Sequence, residues 1–114
     1  MNNFSKLKAG AIVLVNFPFT DLSARKVRPA LVLRDQQGED LLLAPISTTV
    51  NASYEDYWIQ AEDYKEAALP VQSCVRYRKL FTLSQRLVLK TCGSFTVAAT
   101  SCLRQKVSDF VLGS

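Results

Sequence analysis

Short apolar segments separated by polar turns occupy most of this 114-residue chain, and they allow little besides a small β-sheet. Each segment has the length of a β-strand and is rich in β-branched or aliphatic residues. The predicted strands cover residues 12–17, 30–33, 41–46, 57–59, 72–76 and 79–83. Because residues 30–33 and 41–46 flank a turn at residues 35–38, these two strands are predicted to form a hairpin.

The C-terminal segment has a different periodicity. Between residues 95 and 112 the apolar side chains recur mostly at spacings of three and four, which predicts an amphipathic α-helix. Ser94 is the predicted N-cap and Gly113 the predicted stop. Residues 62–69 have local helix character, and residues 84–89 are predicted to be either a helical turn or a short strand. Together these elements predict a mainly β fold, a small curled sheet or barrel with one helix packed on it.

The composition is that of an ordinary globular domain, with 48% hydrophobic and 21% charged residues, and residues 1–114 are predicted to form one domain. The net charge of +4 favours anionic partners such as nucleic acid or an acidic protein. The sequence contains neither an apolar N-terminal segment nor an apolar stretch of membrane-spanning length. A cytoplasmic location and no membrane partner are therefore predicted.

The absence of histidine narrows the possible chemistry, because it removes the commonest general base and most metal sites. The three cysteines, Cys74, Cys92 and Cys102, are odd in number and form no CxxC pair. They are predicted to be free thiols in a reducing compartment, with no zinc site. Neither a metal nor another cofactor is predicted.

Arg28 and Pro29 stand where the second predicted strand begins. Pro29 fixes its own φ and favours an extended backbone at Arg28. A guanidinium fixed at a strand edge can bind two phosphate oxygens through parallel N–H groups. The alternative is a surface arginine beside a turn, and these two residues taken alone favour that alternative.

Further polar residues lie near the ends of other predicted strands. Ser47 and Thr48 could donate hydrogen bonds to a phosphate, or could only terminate the third strand. Arg76 and Arg78 alternate along a predicted strand, so they are expected to share one face and form an anion cradle, unless they are a solvated strand face. Asp21 could orient Arg28 or cap a turn, and the turn is favoured.

Five segments of the chain, taken in order, resemble the MazF/PemK toxins, which are growth-inhibiting endoribonucleases of bacterial toxin–antitoxin pairs. These segments are GAIVLV at 10–15, FPFTD at 17–21, KVRPALVL at 26–33, APIST at 44–48 and VRYRKLFTL at 75–83. The resemblance implies an SH3-like barrel with a C-terminal α-helix. It also implies a homodimer with an RNA groove across its interface, RNA and DNA binding, and metal-independent, sequence-selective cleavage of single-stranded RNA such as mRNA.

The same resemblance implies roles for individual residues. Arg28 matches the catalytic arginine that precedes the proline of the second strand. Ser47 matches an implicated hydroxyl residue, with Thr48 next to it, and Arg76 resembles an arginine of the PemK branch that acts on the substrate phosphate. The residues expected to bind RNA or phosphate are Lys26, Arg76, Arg78, Asp21 and Thr20. An acidic antitoxin segment is expected to occupy the same groove and block it.

The sequence departs from the family pattern at two places. The family commonly has Gly-Asp where this chain has Gly10 and Ala11, and the PemK branch often has an aspartate at the position of Arg78. The second change removes a candidate general base and adds a positive charge. It favours an alternative function, a catalytically weakened protein that binds RNA or an acidic antitoxin peptide without turnover. A third possibility is an SH3-like adaptor that recognises a protein segment. It is the least favoured, because the sequence has no obvious form of the aromatic groove that proline-rich recognition needs.

Overall fold

A computed structural model describes residues 7–17, 26–48 and 56–113. Within these ranges the chain forms eight β-strands and one α-helix. They are β1 (Ala11–Phe17), β2 (Lys26–Val32), β3 (Asp40–Ser47), β4 (Tyr57–Trp58), β5 (Tyr64–Glu66), β6 (Cys74–Val75), β7 (Phe81–Ser84), β8 (Val88–Phe95) and α1 (Val97–Leu112). No helix in the described ranges is long and apolar enough to cross a lipid bilayer.

The strands form one curled antiparallel sheet. β2 lies between β1 and β3, β1 also pairs with β8, and β8 pairs with β5. β3 pairs with β7 along its first half and with β6 at its end, and β6 pairs in turn with β4. Because β7 leads through a short 3₁₀ turn into β8, the sheet curls into a half-barrel. The predicted small curled sheet with one C-terminal helix is confirmed.

Alternation along the strands places two apolar clusters on opposite faces of the sheet. The cluster inside the curl, here called the barrel-side cluster, consists of Val13, Val15, Ala30, Val32, Leu41, Leu43 and Leu83. The cluster beneath α1, here called the helix-side cluster, includes Ile12, Leu31, Ala44, Ile46, Val75, Phe95, Ala99 and Leu103. Each fully buried aliphatic side chain contributes about 1.5–3 kcal/mol by leaving water, so both clusters stabilise the fold.

The ends of α1 are fixed by local hydrogen bonds. Thr96 is the N-cap, and its side-chain oxygen accepts a hydrogen bond from the Ala99 N–H at 3.1 Å. Gly113 ends the helix in the left-handed conformation, as predicted. The prediction of Ser94 as the N-cap was wrong, because β8 continues through Ser94 to Phe95 to pair with β1 and β5.

Two further predictions were wrong in their extent or type. Residues 62–69 form no α-helix: a 3₁₀ turn at Ala61–Asp63 leads into β5, which pairs with β8. There the Tyr64 ring packs edge-on against Phe95 at 5.7 Å, and this tertiary contact outweighs the local helix preference. β2 begins at Lys26, four residues before the predicted strand, because β1 is long enough to pair with it there.

The hairpin of β2 and β3 is confirmed, and residues 84–89 combine both predicted alternatives. Gln85–Leu87 is a 3₁₀ turn, capped by the Ser84 hydroxyl, which accepts a hydrogen bond from the Arg86 N–H at 3.2 Å. β8 then starts at Val88. This turn therefore connects the two strands that bring the curled sheet back to β1.

Gly10 connects three parts of the fold at the start of β1. Its N–H donates to the Val32 carbonyl and its carbonyl accepts from the Phe95 N–H, both at 2.8 Å. Its φ is +100°, and a Cβ at this position would lie 2.6 Å from the side-chain oxygen of Thr100 in α1. That oxygen is itself fixed, because it donates to the Thr96 carbonyl at 2.8 Å. Glycine is therefore required by both backbone conformation and space.

We predict that Gly10→Ala lowers the free energy of unfolding by about 1–3 kcal/mol, because it adds backbone strain and a clash with α1. Gly38→Ala is the matched control, since Gly38 also has a positive φ but no atom lies within 4 Å of the position that its added methyl group would take. Urea unfolding of the two variants measures the difference. Equal destabilisation by both substitutions would contradict the importance of the contact with Thr100.

Candidate active site

Strand pairing places Arg28 on the barrel-side face of the sheet. It lies directly opposite Val15 of β1, and residues directly opposite in an antiparallel pair project to the same face. Val15 belongs to the barrel-side cluster, as do Ala30 and Val32 further along β2. Arg28 is half-buried and lies where this apolar face ends. Its charged group is therefore positioned at the rim of the barrel-side core.

Ser47 lies at the same end of the same face. Ala30 of β2 pairs with Pro45 of β3, and because the strands are antiparallel, Arg28 and Ser47 each lie two residues beyond that pair at the same end. Ser47 is buried, at 7% exposure, whereas Thr48, the next residue, is exposed. The fold therefore brings the three residues predicted to be catalytic to one end of the sheet.

The short strand β6 adds Cys74 and Arg76 to this group. Cys74 pairs directly with Ser47, so the two side chains share a face. The Arg76 N–H continues the pairing by donating to the Pro45 carbonyl at 2.8 Å. We call this end of the barrel-side face, with Arg28, Ser47, Cys74 and Arg76, the site face.

A carboxylate that the sequence analysis did not single out also lies here. The Arg76 Nε donates to the Asp56 Oδ2 at 3.3 Å. The Asp56 side chain is only 6% exposed, and the Arg76 side chain is 27% exposed. Asp56 directly precedes β4, where Trp58 pairs with Cys74 and thus also faces the site. An acidic residue before a predicted strand was the only available signal, since the pairing of β4 with β6 depends on tertiary structure.

The Cys74 thiol belongs to the same cluster. It donates to the Asp56 Oδ2 at 3.9 Å, and its residue is fully buried. Burial raises the pKa of the Cys74 thiol, the Asp56 charge raises it further, and Arg76 partly opposes them. Cys74 therefore stays protonated at neutral pH and acts as a donor to the carboxylate.

Arg78 occupies a different part of the molecule. β6 ends at Val75 and the chain then turns, with the Lys79 N–H donating to the Arg76 carbonyl at 3.0 Å. The Arg78 guanidinium lies 4.7 Å from the centre of the Phe110 ring of α1, a cation–π contact. The expectation that Arg76 and Arg78 share a strand face was wrong, because alternation ends where the strand ends.

The opposite, helix-side face carries a second polar cluster around Tyr57. The Tyr57 hydroxyl donates to the Asp63 Oδ2 at 2.7 Å, and the Lys106 Nζ lies 5.8 Å from the centre of the Tyr57 ring. Burial and then the hydrogen bond to Asp63 raise the pKa of the Tyr57 hydroxyl. Asp63 is 7% exposed and also accepts from the Gln60 N–H at 2.8 Å. This cluster stabilises β4 from the side away from the site face.

The remaining predicted site residues are only partly described. Thr20 and Asp21 lie outside the described residues. The Lys26 backbone belongs to β2, opposite Phe17, and its side chain is not among the described ones. In the described part of the chain, no three Cys, Asp or Glu side chains come together as metal ligands.

Comparison with known proteins identifies the family. A family model described as the PemK-like, MazF-like toxin of type II toxin–antitoxin systems matches residues 8–110. The chain belongs to this toxin family. No curated protein is a significant match to the sequence of this toxin.

Solved structures share the fold of the toxin over nearly its whole length. MazF from Deinococcus radiodurans superposes with a TM-score of 0.73 at 20% identity, covering 97% of this chain and 100% of that one. A mycobacterial endoribonuclease in complex with its cognate antitoxin has a TM-score of 0.69 at 14% identity, with 96% of each chain covered. The Mycobacterium tuberculosis toxin MazF-mt6 has a TM-score of 0.65 at 18% identity, covering 89% of this chain and 95% of that one.

We predict that the cysteines of the folded toxin differ in reactivity. Cys102 is exposed on α1 and should be alkylated first, whereas Cys74 is buried and its raised pKa keeps the reactive thiolate scarce. Timed alkylation at pH 8 followed by peptide mass spectrometry measures both rates. In urea the two should react at similar rates, which serves as the control. Equally fast labelling of Cys74 and Cys102 in the folded protein would contradict the burial of Cys74.

Proposed function

We propose that this toxin is a metal-independent endoribonuclease that cleaves single-stranded RNA, such as mRNA, at selected sequences through attack of the 2′-hydroxyl on the adjacent phosphate. The observation that carries the proposal is the convergence of Arg28, Ser47 and Arg76 at one end of one sheet face, with Thr48 next to Ser47 where β3 ends. The mycobacterial structures that share the fold are described as endoribonucleases, which supports the same activity.

The two arginines would stabilise the charge that develops on the phosphorane. Preorganised donors directed at developing charge are usually the largest single contribution to such catalysis. Arg28 is half-buried at the rim of the barrel-side core, and among the described residues no carboxylate pairs with it. Because the guanidinium does not deprotonate in proteins, Arg28 acts by electrostatics and hydrogen bonding rather than as a proton donor.

The two hydroxyl residues would then have different parts. Thr48 is exposed at the end of β3, so its hydroxyl can reach the phosphate of a bound RNA. Ser47 is buried beside Cys74 and would stabilise the phosphate site from its buried side. Neither hydroxyl is a strong base unaided, so both are assigned hydrogen-bonding roles.

The proposal extends to the partners of the toxin. It acts in the cytoplasm as a homodimer, and an acidic antitoxin blocks the site. The net charge of +4 suits an acidic segment, which would compete with RNA for the same arginines. Two solved structures with the same fold are complexes with an antitoxin, the mycobacterial endoribonuclease with its cognate antitoxin and the MazE–MazF complex of Deinococcus radiodurans.

Incubation with mixed-sequence RNA in EDTA tests the activity. We predict discrete fragments that end in a 2′,3′-cyclic phosphate, because the 2′-hydroxyl is the nucleophile and no metal is needed. If folded protein leaves the RNA intact, the proposed function is wrong. RNA binding that weakens with salt but gives no turnover would instead favour the second candidate function, a non-catalytic binder. The cation at position 78, where the PemK branch often has a carboxylate, favours that candidate.

Substitution of Arg28 tests the assignment of the site. We predict that Arg28→Ala lowers the cleavage rate by about 10²–10³-fold, the loss typical when one preorganised donor is removed. Arg86→Ala is the matched control, because Arg86 is an exposed arginine that pairs with Glu39 at the turn between β7 and β8. Undiminished cleavage by Arg28→Ala, with its fold confirmed by circular dichroism, would remove Arg28 from the mechanism.

A further inference from the structure

We infer that Asp56 is a positioning residue that fixes the Arg76 guanidinium for the substrate phosphate. This inference rests on the proposed ribonuclease function. It assigns a role to a carboxylate that lies on the site face but takes no part in the chemistry described above.

The first support is that Arg76 is fixed at both ends. Its backbone N–H donates to the Pro45 carbonyl at 2.8 Å, which joins the residue to β3. Its Nε donates to the Asp56 Oδ2 at 3.3 Å, which restricts the orientation of the guanidinium plane. A guanidinium bound through Nε retains the N–H groups of both Nη atoms for another acceptor. Arg76 can therefore bind Asp56 and a phosphate at the same time.

The second support is the burial of the carboxylate. Asp56 has a side-chain exposure of 6%, and a buried charge is costly unless it is paired and hydrogen-bonded. Its Oδ2 accepts from both Arg76 and the Cys74 thiol. Because folding must satisfy this carboxylate, Arg76 is oriented before substrate arrives, and less conformational freedom is lost on binding.

The same facts separate positioning from direct catalysis. A general base must come within hydrogen-bond distance of the 2′-hydroxyl, and Asp56 is nearly inaccessible. Asp56 therefore acts through Arg76 rather than on the substrate. The chain lacks a carboxylate at position 78, and Asp56 supplies one to Arg76 from a different part of the sheet.

A double-mutant cycle tests this inference with the RNA that the wild-type toxin cleaves. We predict that Asp56→Asn lowers kcat by about 10- to 100-fold with a smaller change in KM, because misplacing a catalytic group by about 1 Å can cost about 10²-fold. Arg76→Gln should lose at least as much. The double variant should be no slower than Arg76→Gln, since Asp56 has no role without the guanidinium. Unchanged kcat in Asp56→Asn, or losses that multiply in the double variant, would overturn the inference.

Two further variants separate positioning from a general effect on folding. Asp63→Asn is the matched control, because Asp63 is a buried, hydrogen-bonded carboxylate beside the same strand but on the helix-side face. Its kcat per folded molecule should fall less than that of Asp56→Asn, because Asp63 acts on the site face only through Tyr57 of β4. Asp56→Glu keeps the charge and should recover part of the rate lost in Asp56→Asn. An equal loss of kcat in Asp63→Asn and Asp56→Asn would show a purely structural role and overturn the inference.

A measurement without turnover distinguishes failure of this inference from failure of the proposed function. Nitrogen-15 NMR of the free toxin should show the Arg76 Nε–H protected from solvent exchange, and Asp56→Asn should weaken that protection, because an amide oxygen is a weaker acceptor than a carboxylate. If the wild-type toxin does not cleave RNA, the proposed function fails, and the catalytic role of Asp56 fails with it even when the NMR protection is present. If the toxin cleaves RNA but the Arg76 Nε–H exchanges freely, only the positioning by Asp56 is wrong.

Discussion

The register of β1, β2 and β3 is the constraint on which the rest of the structure depends. Opposite pairs such as Val15 with Arg28 and Ala30 with Pro45 assign every side chain of these strands to one of two faces. A slip of one residue would move the barrel-side cluster to the wrong face, and it would carry Arg28 to the helix side as well. Burial of the apolar side chains therefore also fixes the position of the charged site. The stability of the fold and the geometry of the site both depend on the same strand register.

The division of the sheet into two faces also explains where charge is tolerated. On the helix side, Arg78 and Lys106 lie over aromatic rings, so their charged groups cover apolar surface. On the site face, the buried charge of Asp56 is compensated by its pairing with Arg76. Arg28 differs from both, because no carboxylate among the described residues neutralises it.

The sequence predicted the parts of the fold that depend on local pattern. The apolar runs predicted the hairpin of β2 and β3, and the helical periodicity and Gly113 predicted α1 and its end. The prediction failed where tertiary pairing decides. Residues 62–69 form a 3₁₀ turn and a strand because β8 offers a pairing edge, and Arg78 leaves the site face because β6 has only two residues. For the same reason the sequence did not predict Asp56 as a site residue. No local pattern brings its carboxylate next to the side chain of Arg76, which lies twenty residues further along the chain.

The position of Asp56 in turn depends on contacts on the other face. β4 has only two residues, so its two pairs with β6 restrain it weakly. The hydrogen bond from Tyr57 to Asp63 and the cation of Lys106 over the Tyr57 ring add restraints from the helix side. Because Asp56 immediately precedes Tyr57, these restraints also limit where its carboxylate can lie. The helix thus contributes to the order of the site face from the other side of the sheet, through the contact of Lys106 with Tyr57 in β4.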